Sequence, residues 1–131
     1  MLKIDKKTYK VSIRKGDSGN IPMKFNIPID MYKFWFTVKT HMDQPDSEAP
    51  ILKIYDNIYG NYLVVILTEE DTDNLEVPEP CGCATNYHKD YIWAVKYAKK
   101  GSTDVHTLVP EGFKKPPTFR VYPEVIEGPH I

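Results

Sequence analysis

The chain has 131 residues, of which 41% are hydrophobic and 27% charged, and these proportions exclude both a disordered chain and a fibrous repeat. Its formal net charge of -1 gives no general attraction to nucleic acid or to an anionic membrane surface. The length suits one domain spanning residues 1–131. Eleven prolines and nine tyrosines favour many short strands joined by irregular loops.

The start of the chain and its cysteines indicate the cellular compartment in which the protein is made. Residues 1–5 lack the apolar core of a signal peptide, and the longest apolar run, residues 63–67, is far too short to span a membrane. We therefore expect a protein made in the bacterial cytoplasm. Cys81 and Cys83 are the only cysteines, which excludes a disulfide framework.

Alternation of apolar and polar residues predicts the strands of the first half of the chain. Residues 8–14 predict a half-exposed first strand, and residues 15–20 carry turn chemistry with two glycines. Residues 21–29 alternate as well, but their two prolines cannot donate to a ladder, which predicts an edge strand. The aromatic alternation of residues 33–39 predicts a central strand.

The second half of the chain predicts one hairpin, one helical turn and a strongly aromatic strand. Residues 51–54 and 62–67 predict the two arms of the hairpin. Residues 68–75 begin with a threonine followed by acids, which predicts a capped helical turn. Residues 87–97 are the densest aromatic stretch, and they predict a strand that is buried on both faces at its middle.

Two further strands, at residues 104–109 and 118–126, complete a count of about eight strands with one short helical turn near 68–75. No internal repeat is present. This pattern is typical of an all-β fold, and it predicts a β-sandwich of the immunoglobulin-like or a related type. The side chains expected to share its core are Trp93, Phe36, Val65, Val95 and Phe119.

No set of residues predicts catalysis. Residues 16–19 imitate the nucleophile loop of trypsin-like proteases, but no histidine precedes the serine in the chain. Cys81, Cys83 and His88 offer three ligands, whereas structural zinc needs four and spaces its cysteines further apart. We expect reduced thiols, no bound metal, no cofactor and no enzymatic activity.

Aromatic side chains are the first candidates for a binding surface. Tyr55, Tyr59 and Tyr62 lie near the tip of the predicted hairpin, where their rings could stack on sugars or bases. Packing on a half-buried strand pair is the alternative interpretation of these three rings. Tyr32 and Trp35 offer a second platform for stacking on sugars.

Charged residues are the second candidates, because they are unevenly distributed. Residues 3–15 hold six basic residues and one acid, whereas residues 69–79 hold six acids and no base. These clusters predict either solvated faces or head-to-tail contacts between copies of the chain. The charged residues assigned to the predicted contact surface are Lys3, Lys6, Lys7, Glu69, Glu70 and Asp71.

Several segments, taken in order, carry a resemblance to a known family. They are the Gly16–Ser18 turn, Phe34–Lys39, Leu67–Thr72 with Leu75, Tyr91–Tyr97, Thr107–Leu108, and Phe119–Val121 with Glu124 and Val125. This order resembles small β-sandwich proteins of phage and prophage structural modules, in particular the N-terminal domain of baseplate upper proteins. Residues 78–86, with their two cysteines, depart from that pattern.

The resemblance implies a non-enzymatic structural or connector protein of a phage or prophage tail or baseplate. Its partners would be other phage structural proteins or a second copy, without nucleic acid or membrane, and it would become a virion component. No active-site residue follows from the family. A carbohydrate-binding module that uses exposed tyrosines and tryptophans is the alternative, and a small enzyme built from scattered histidines is the third hypothesis.

Overall fold

The computed structural model describes residues 2–77, 88–110 and 115–123. These residues are mostly β-strand, with one short helix and one 3-10 turn, which confirms the all-β class. The strands are β1 (Lys3–Ile4), β2 (Val11–Arg14), β3 (Gly19–Lys24), β4 (Tyr32–Lys39), β5 (Ile51–Tyr55), β6 (Tyr62–Leu67), β7 (Lys89–Lys99), β8 (His106–Val109) and β9 (Thr118–Tyr122). The helix α1 spans Glu69–Asp73, and the 3-10 turn spans Asp46–Glu48.

The described strands form two sheets. The larger sheet has seven strands in the order β1-β2-β9-β7-β4-β5, with β8 also paired to β7, and the smaller sheet consists of β3 and β6. The β2–β9 pair is parallel, and the other described pairs are antiparallel. Because β4 lies between β5 and β7, the prediction of a central aromatic strand is confirmed.

Alternation along the strands directs one face of each sheet into a shared core. Trp93 and Phe36 come from the larger sheet and Val65 from the smaller one, and none is more than 3% exposed. Val95 and Phe119 are also fully buried, so the predicted burial of all five residues is confirmed. Since both sheets contribute to one cluster, the burial of apolar surface holds them together.

The predicted hairpin between residues 51–54 and 62–67 is wrong. Strand β5 pairs with β4 in the larger sheet, whereas β6 pairs with β3 in the smaller one. The connection, residues 56–61, is too long to impose the tight turn of a hairpin. Ile58 in this connection is buried in the core that the two sheets share.

Side chains rather than backbone pairing join β5 to the smaller sheet and to α1. Lys53 on β5 forms a salt bridge with Asp71 of α1, with 2.7 Å between Nζ and Oδ2. The hydroxyl of Tyr55 accepts a hydrogen bond from the backbone amide of Ile66 on β6, at 3.1 Å. These contacts give partners to polar groups at the edge between the two sheets.

The helix α1 begins with a capping box, which confirms the helical turn predicted at residues 68–75. Thr68 Oγ1 accepts from the amide of Asp71 at 3.2 Å, and Asp71 Oδ2 accepts from the amide of Thr68 at 2.8 Å. Thr72 is fully buried and ties the helix to the turn after β2. Its hydroxyl donates to the carbonyl of Asp17 at 2.7 Å and accepts from the amide of Gly16 at 3.0 Å.

Low pH should reduce the stability of the folded protein, partly through protonation of Asp71. Burial raises the pKa of this carboxyl group, but hydrogen bonds from Lys53 and Thr68 outweigh burial and lower the pKa below its ordinary value of 3.8. A lowered pKa stabilises the folded state above the pKa of the unfolded chain, and this stabilisation is lost as the pH falls through the folded-state pKa. We expect Asp71→Asn to cost about 1–2 kcal/mol at neutral pH.

The penalty of Asp71→Asn should shrink as the pH falls below 3.8, the ordinary carboxyl pKa, and through the lower pKa of Asp71 in the folded state, where the wild-type carboxyl group becomes protonated as well. Urea unfolding of both proteins at a series of pH values measures this difference in folding free energy. Glu70→Gln is the matched control, because Glu70 is a neighbouring exposed acid on the same helix. A penalty that is equally large at neutral and at low pH would contradict this role of Asp71.

The first strand is shorter than the predicted residues 8–14. Strand β2 begins only at residue 11, because the preceding residues form a turn around Asp5. The carboxylate of Asp5 accepts hydrogen bonds from the amides of Lys7 at 2.8 Å and Thr8 at 3.2 Å. Tyr9 has a φ of 59°, in the left-handed region, which is incompatible with a strand.

The two glycines of the predicted turn at residues 15–20 have different roles. Gly16 adopts a positive φ of 86°, as turn chemistry predicts. Gly19 opens β3 instead and lies against Leu2. A Cβ atom at Gly19 would approach Cβ of Leu2 to 2.6 Å, so the close packing of these two segments requires glycine.

Some predictions lie outside the described residues or differ in their bounds. Strand β8 begins at residue 106 rather than 104. Strand β9 spans Thr118–Tyr122, and residues 124–126 of the predicted last strand lie outside the described residues. The state of Cys81 and Cys83, the beginning of the aromatic strand at Tyr87, and His130 lie outside the part of the chain that the structure describes.

Candidate functional site

The tyrosines predicted near a hairpin tip do not form one stacking platform. The ring of Tyr55 packs against the core, and its hydroxyl is bound to the backbone of β6. Tyr59 is 86% exposed and Tyr62 is about half exposed. Two of the three rings are therefore accessible, and they belong to the loop after β5 and to the smaller sheet.

Tyr32 and Trp35 do not form a platform either. They lie three positions apart on β4, where side chains alternate between the two faces of the sheet. Tyr32 is on the core side, with its ring 5.9 Å from the ring of Tyr97. Trp35 lies on the opposite, outer face, where Nζ of Lys33 is 5.2 Å from its ring.

The charged clusters are exposed in part, but they do not form two opposite poles. Lys3, Lys6 and Lys7 are exposed and follow the β1 edge of the larger sheet. Leu2 lies against Gly19, and Gly19 borders one shallow depression with the exposed acids Glu69 and Glu70. The basic cluster therefore begins at the same end of the molecule as the acidic helix.

Asp71, the last of the predicted acidic contact residues, is partly buried and is paired within the fold. It accepts hydrogen bonds from Lys53 and from the amide of Thr68. Because these contacts link the middle of β5 to the start of α1, Asp71 is a structural residue of the described fold. Glu69 and Glu70 remain accessible.

The proline-containing strand β3 is poorly suited to pairing with a neighbouring chain. The amide of Phe25 donates to the carbonyl of Asn61, and the register then places the backbone groups of Gly19, Ile21 and Met23 toward β6. Pro22 consequently faces the edge that no described strand covers. Since proline has no N–H, it interrupts the ladder that an added strand would need.

The outer face of the larger sheet carries a continuous apolar surface. Trp35 on β4 lies opposite Ile54 on β5, and Thr37 lies opposite Leu52. Ile54 is 50% exposed and Leu52 is 37% exposed. We call Trp35, Leu52 and Ile54 the outer patch. Its side chains point away from the core because the neighbouring residues of each strand point into it.

A groove continues the outer patch across β4 and β7. Two small residues, Thr37 and Ala94, face each other across the strands and form its floor. Larger pairs lie on either side along the ladder: Lys39 with Ile92, and Trp35 with Lys96. Further walls are formed by Met42, Thr107, Pro110 and Pro116. This outer groove has a volume of about 360 Å³.

The outer groove contains a polar side chain that is nearly buried. Thr37 is only 5% exposed, although it lies on the outer face of β4. It is one of the residues that line the groove. A ligand in the groove can therefore form a hydrogen bond with its hydroxyl group.

Two lysines border the outer groove. Lys39 forms a salt bridge of 2.6 Å with Asp46, and the hydrogen bond from Lys39 lowers the pKa of that carboxyl group. Lys96 forms no salt bridge with any described residue, although its charge also acts on Asp46. Among the described residues that border the groove, these three charges leave a net positive charge, which favours an anion.

The described histidines do not assemble an active site. His41 is exposed in the loop after β4. His88 packs on Tyr122 and lies 3.8 Å from Asp90, while His106 packs on Tyr97. Within residues 2–77, 88–110 and 115–123, no group of three or more His, Cys, Asp or Glu side chains is placed to hold a metal ion.

Comparison with protein-family models, with curated proteins and with solved structures found no match to this chain. Within the described part of the chain, no helix is long and apolar enough to cross a membrane. The chemistry of the outer face of the larger sheet is therefore the main guide to function.

The sequence prediction missed the outer patch and the outer groove. Alternation in residues 33–39 and 92–96 gives the two faces of β4 and β7, but it does not say which residues face each other across the strands. The floor depends on Thr37 lying opposite Ala94, which is a property of the register. The short alternation in β5 was interpreted as one arm of a hairpin, and Leu52 was therefore not assigned to this surface.

Proposed function

We propose that the protein is a non-enzymatic structural or connector protein of a phage or prophage tail or baseplate. It acts by protein–protein association and is built as a β-sandwich of the immunoglobulin-like or a related type. The resemblance noted in the sequence supports this assignment, and the core shared by two sheets is consistent with a sandwich.

The outer patch is the observation that carries the proposal. Trp35, Leu52 and Ile54 form an exposed apolar surface on a regular, rigid sheet rather than on a loop. Contiguous exposed apolar surface of this kind commonly marks an interaction site. Tryptophan and aliphatic side chains at the centre of such a surface contribute most of the affinity when a partner removes them from water.

The charges around the outer patch indicate the chemistry of the partner. Lys33 lies over the ring of Trp35, and Lys96 lies beside Trp35 on the neighbouring strand. Neither lysine forms a salt bridge with a described residue. We infer a partner protein that presents an apolar face bordered by acidic side chains, because such a face complements both features.

Pull-down with the proteins encoded beside this one tests the proposal. We expect one of them to bind, and we expect binding to weaken as salt concentration rises, since exposed lysines contribute to it. Light scattering at several protein concentrations separately detects self-association. A protein that stays monomeric and ignores every neighbouring gene product would contradict the proposal.

A carbohydrate-binding module is the second candidate, and the exposed rings of Tyr59 and Tyr62 favour it. Aromatic rings in sugar-binding sites stack on the apolar faces of the sugar, so accessibility is the first requirement. Binding to a panel of polysaccharides, lost in the double variant Tyr59→Ala and Tyr62→Ala, would favour this function over association with a structural protein.

A further inference from the structure

We propose that the outer groove is a binding site for a small monoanionic carboxylate with an apolar body, such as a short-chain fatty acid. This site adjoins the outer patch, and Lys96 borders both, but Leu52 and Ile54 of the patch do not line the groove. The observation behind the proposal is an apolar depression lined by Thr37, which is nearly buried, and by Lys96, which forms no salt bridge with a described residue.

The shape of the outer groove suits a narrow apolar chain. The groove is deepest at its floor because Thr37 and Ala94, which pair across β4 and β7, both have small side chains. Ile92, on the same face of β7, is larger. Met42, Pro110 and Pro116 give walls without charge. Its volume of about 360 Å³ lies at the small end of the range for small-molecule sites.

The polar groups of the outer groove select the head group of the ligand. The hydroxyl of Thr37 can donate one hydrogen bond, and the ammonium group of Lys96 supplies a charge-assisted one. Asp46 already pairs with Lys39, so one positive charge remains for the ligand. This balance favours a monoanion over a dianion and disfavours an ammonium group.

The walls argue against a sugar in the same place. Trp93 is the one aromatic residue among the described residues that line the outer groove, and its ring belongs to the core, where it is 3% exposed. Among these described residues, a sugar therefore finds no exposed aromatic face on which to stack. Aliphatic and proline side chains instead match a hydrocarbon chain, whose burial supplies most of the expected affinity.

Titration of ¹⁵N-labelled protein with hexanoate tests the proposal by NMR. Shifts should cluster on the backbone amides of Thr37, Ala94 and Lys96, with a dissociation constant in the millimolar to high-micromolar range. Hexanol and hexylammonium have the same chain without the carboxylate, and each should bind at least roughly tenfold more weakly. Equal binding of all three probes, or the absence of clustered shifts with hexanoate, would overturn the proposal.

Three substitutions in the outer groove test whether hexanoate binds there. Ala94→Leu fills the floor from the outer face and should abolish hexanoate binding, while Lys96→Met and Thr37→Val should each weaken it roughly tenfold or less. Lys99→Met is the matched control, because Lys99 is an exposed lysine at the end of β7. Retention of wild-type hexanoate affinity by Ala94→Leu, with the thermal unfolding midpoint preserved, would overturn the assignment.

A further variant separates this site from the association surface. Ile54→Lys changes the outer patch, and Ile54 does not line the outer groove. It should leave the hexanoate affinity unchanged even where it prevents binding to a partner protein. Loss of hexanoate binding in a folded Ile54→Lys variant would show that the two surfaces form one site and would overturn the separation proposed here.

Discussion

Replacing Trp93 by alanine should cost about 3–5 kcal/mol of folding free energy. The side chain is 3% exposed, and its ring lies 5.8 Å from the ring of Phe36. Its Nε1 also donates a hydrogen bond of 2.9 Å to the carbonyl of Tyr9, which fixes the turn before β2. The substitution therefore removes packing at the centre of the larger sheet and one long-range polar contact together.

Urea unfolding followed by circular dichroism measures the effect. A typical domain has about 5–15 kcal/mol of stability in total, so Trp93→Ala should lower the unfolding midpoint strongly. Trp35→Ala is the matched control, since Trp35 is partly exposed on the outer face and should cost much less. An unchanged midpoint for Trp93→Ala would contradict the central position of this residue in the core.

The second large effect is expected at Thr72, which is 0% exposed on α1. Valine has nearly the same shape, so Thr72→Val should leave packing intact and remove only the hydroxyl. The amide of Gly16 and the carbonyl of Asp17 would then lose their partner in a part-buried place. We expect a loss of about 1–3 kcal/mol, because an unsatisfied buried polar group costs its full desolvation penalty.

Urea unfolding again measures this loss, and amide hydrogen exchange at Gly16 reports on it locally. Thr103→Val is the control, because Thr103 is exposed in the turn before β8 and has no such role. Thr72→Val with wild-type stability and unchanged exchange at Gly16 would show that the helix and the turn are held together by other contacts.

Much of the all-β architecture follows from local patterns that the sequence displays directly. Alternation identifies the core faces of β4 and β7, including the burial of Trp93. The prediction that β7 is buried on both faces at its middle is wrong, because Ile92, Ala94 and Lys96 on its outer face are only partly buried. The capping box of α1 is likewise local, because Thr68 and Asp71 are three residues apart. Such features need no knowledge of which strands are neighbours.

What the sequence could not provide is the pairing between distant strands. Residues 51–54 and 62–67 look like neighbours because they are close in sequence, yet they pair with different strands in different sheets. The outer groove depends on Thr37 and Ala94, which are far apart in the chain and meet only through the β4–β7 register. The near-complete burial of Thr37 on the outer face is a property of the packed structure alone.

The proposed function depends on whether the outer patch binds a protein. The matched pair Ile54→Lys and Ile66→Lys tests this directly, because both residues are about half exposed and apolar but lie on different sheets. Each variant should fold, since neither side chain belongs to the core.

The decisive measurement is the dissociation constant of each variant for the partner recovered in the pull-down. We predict that Ile54→Lys weakens binding roughly tenfold or more, whereas Ile66→Lys stays close to wild type. A wild-type constant for Ile54→Lys, or an equal loss in both variants, would contradict association through the outer patch.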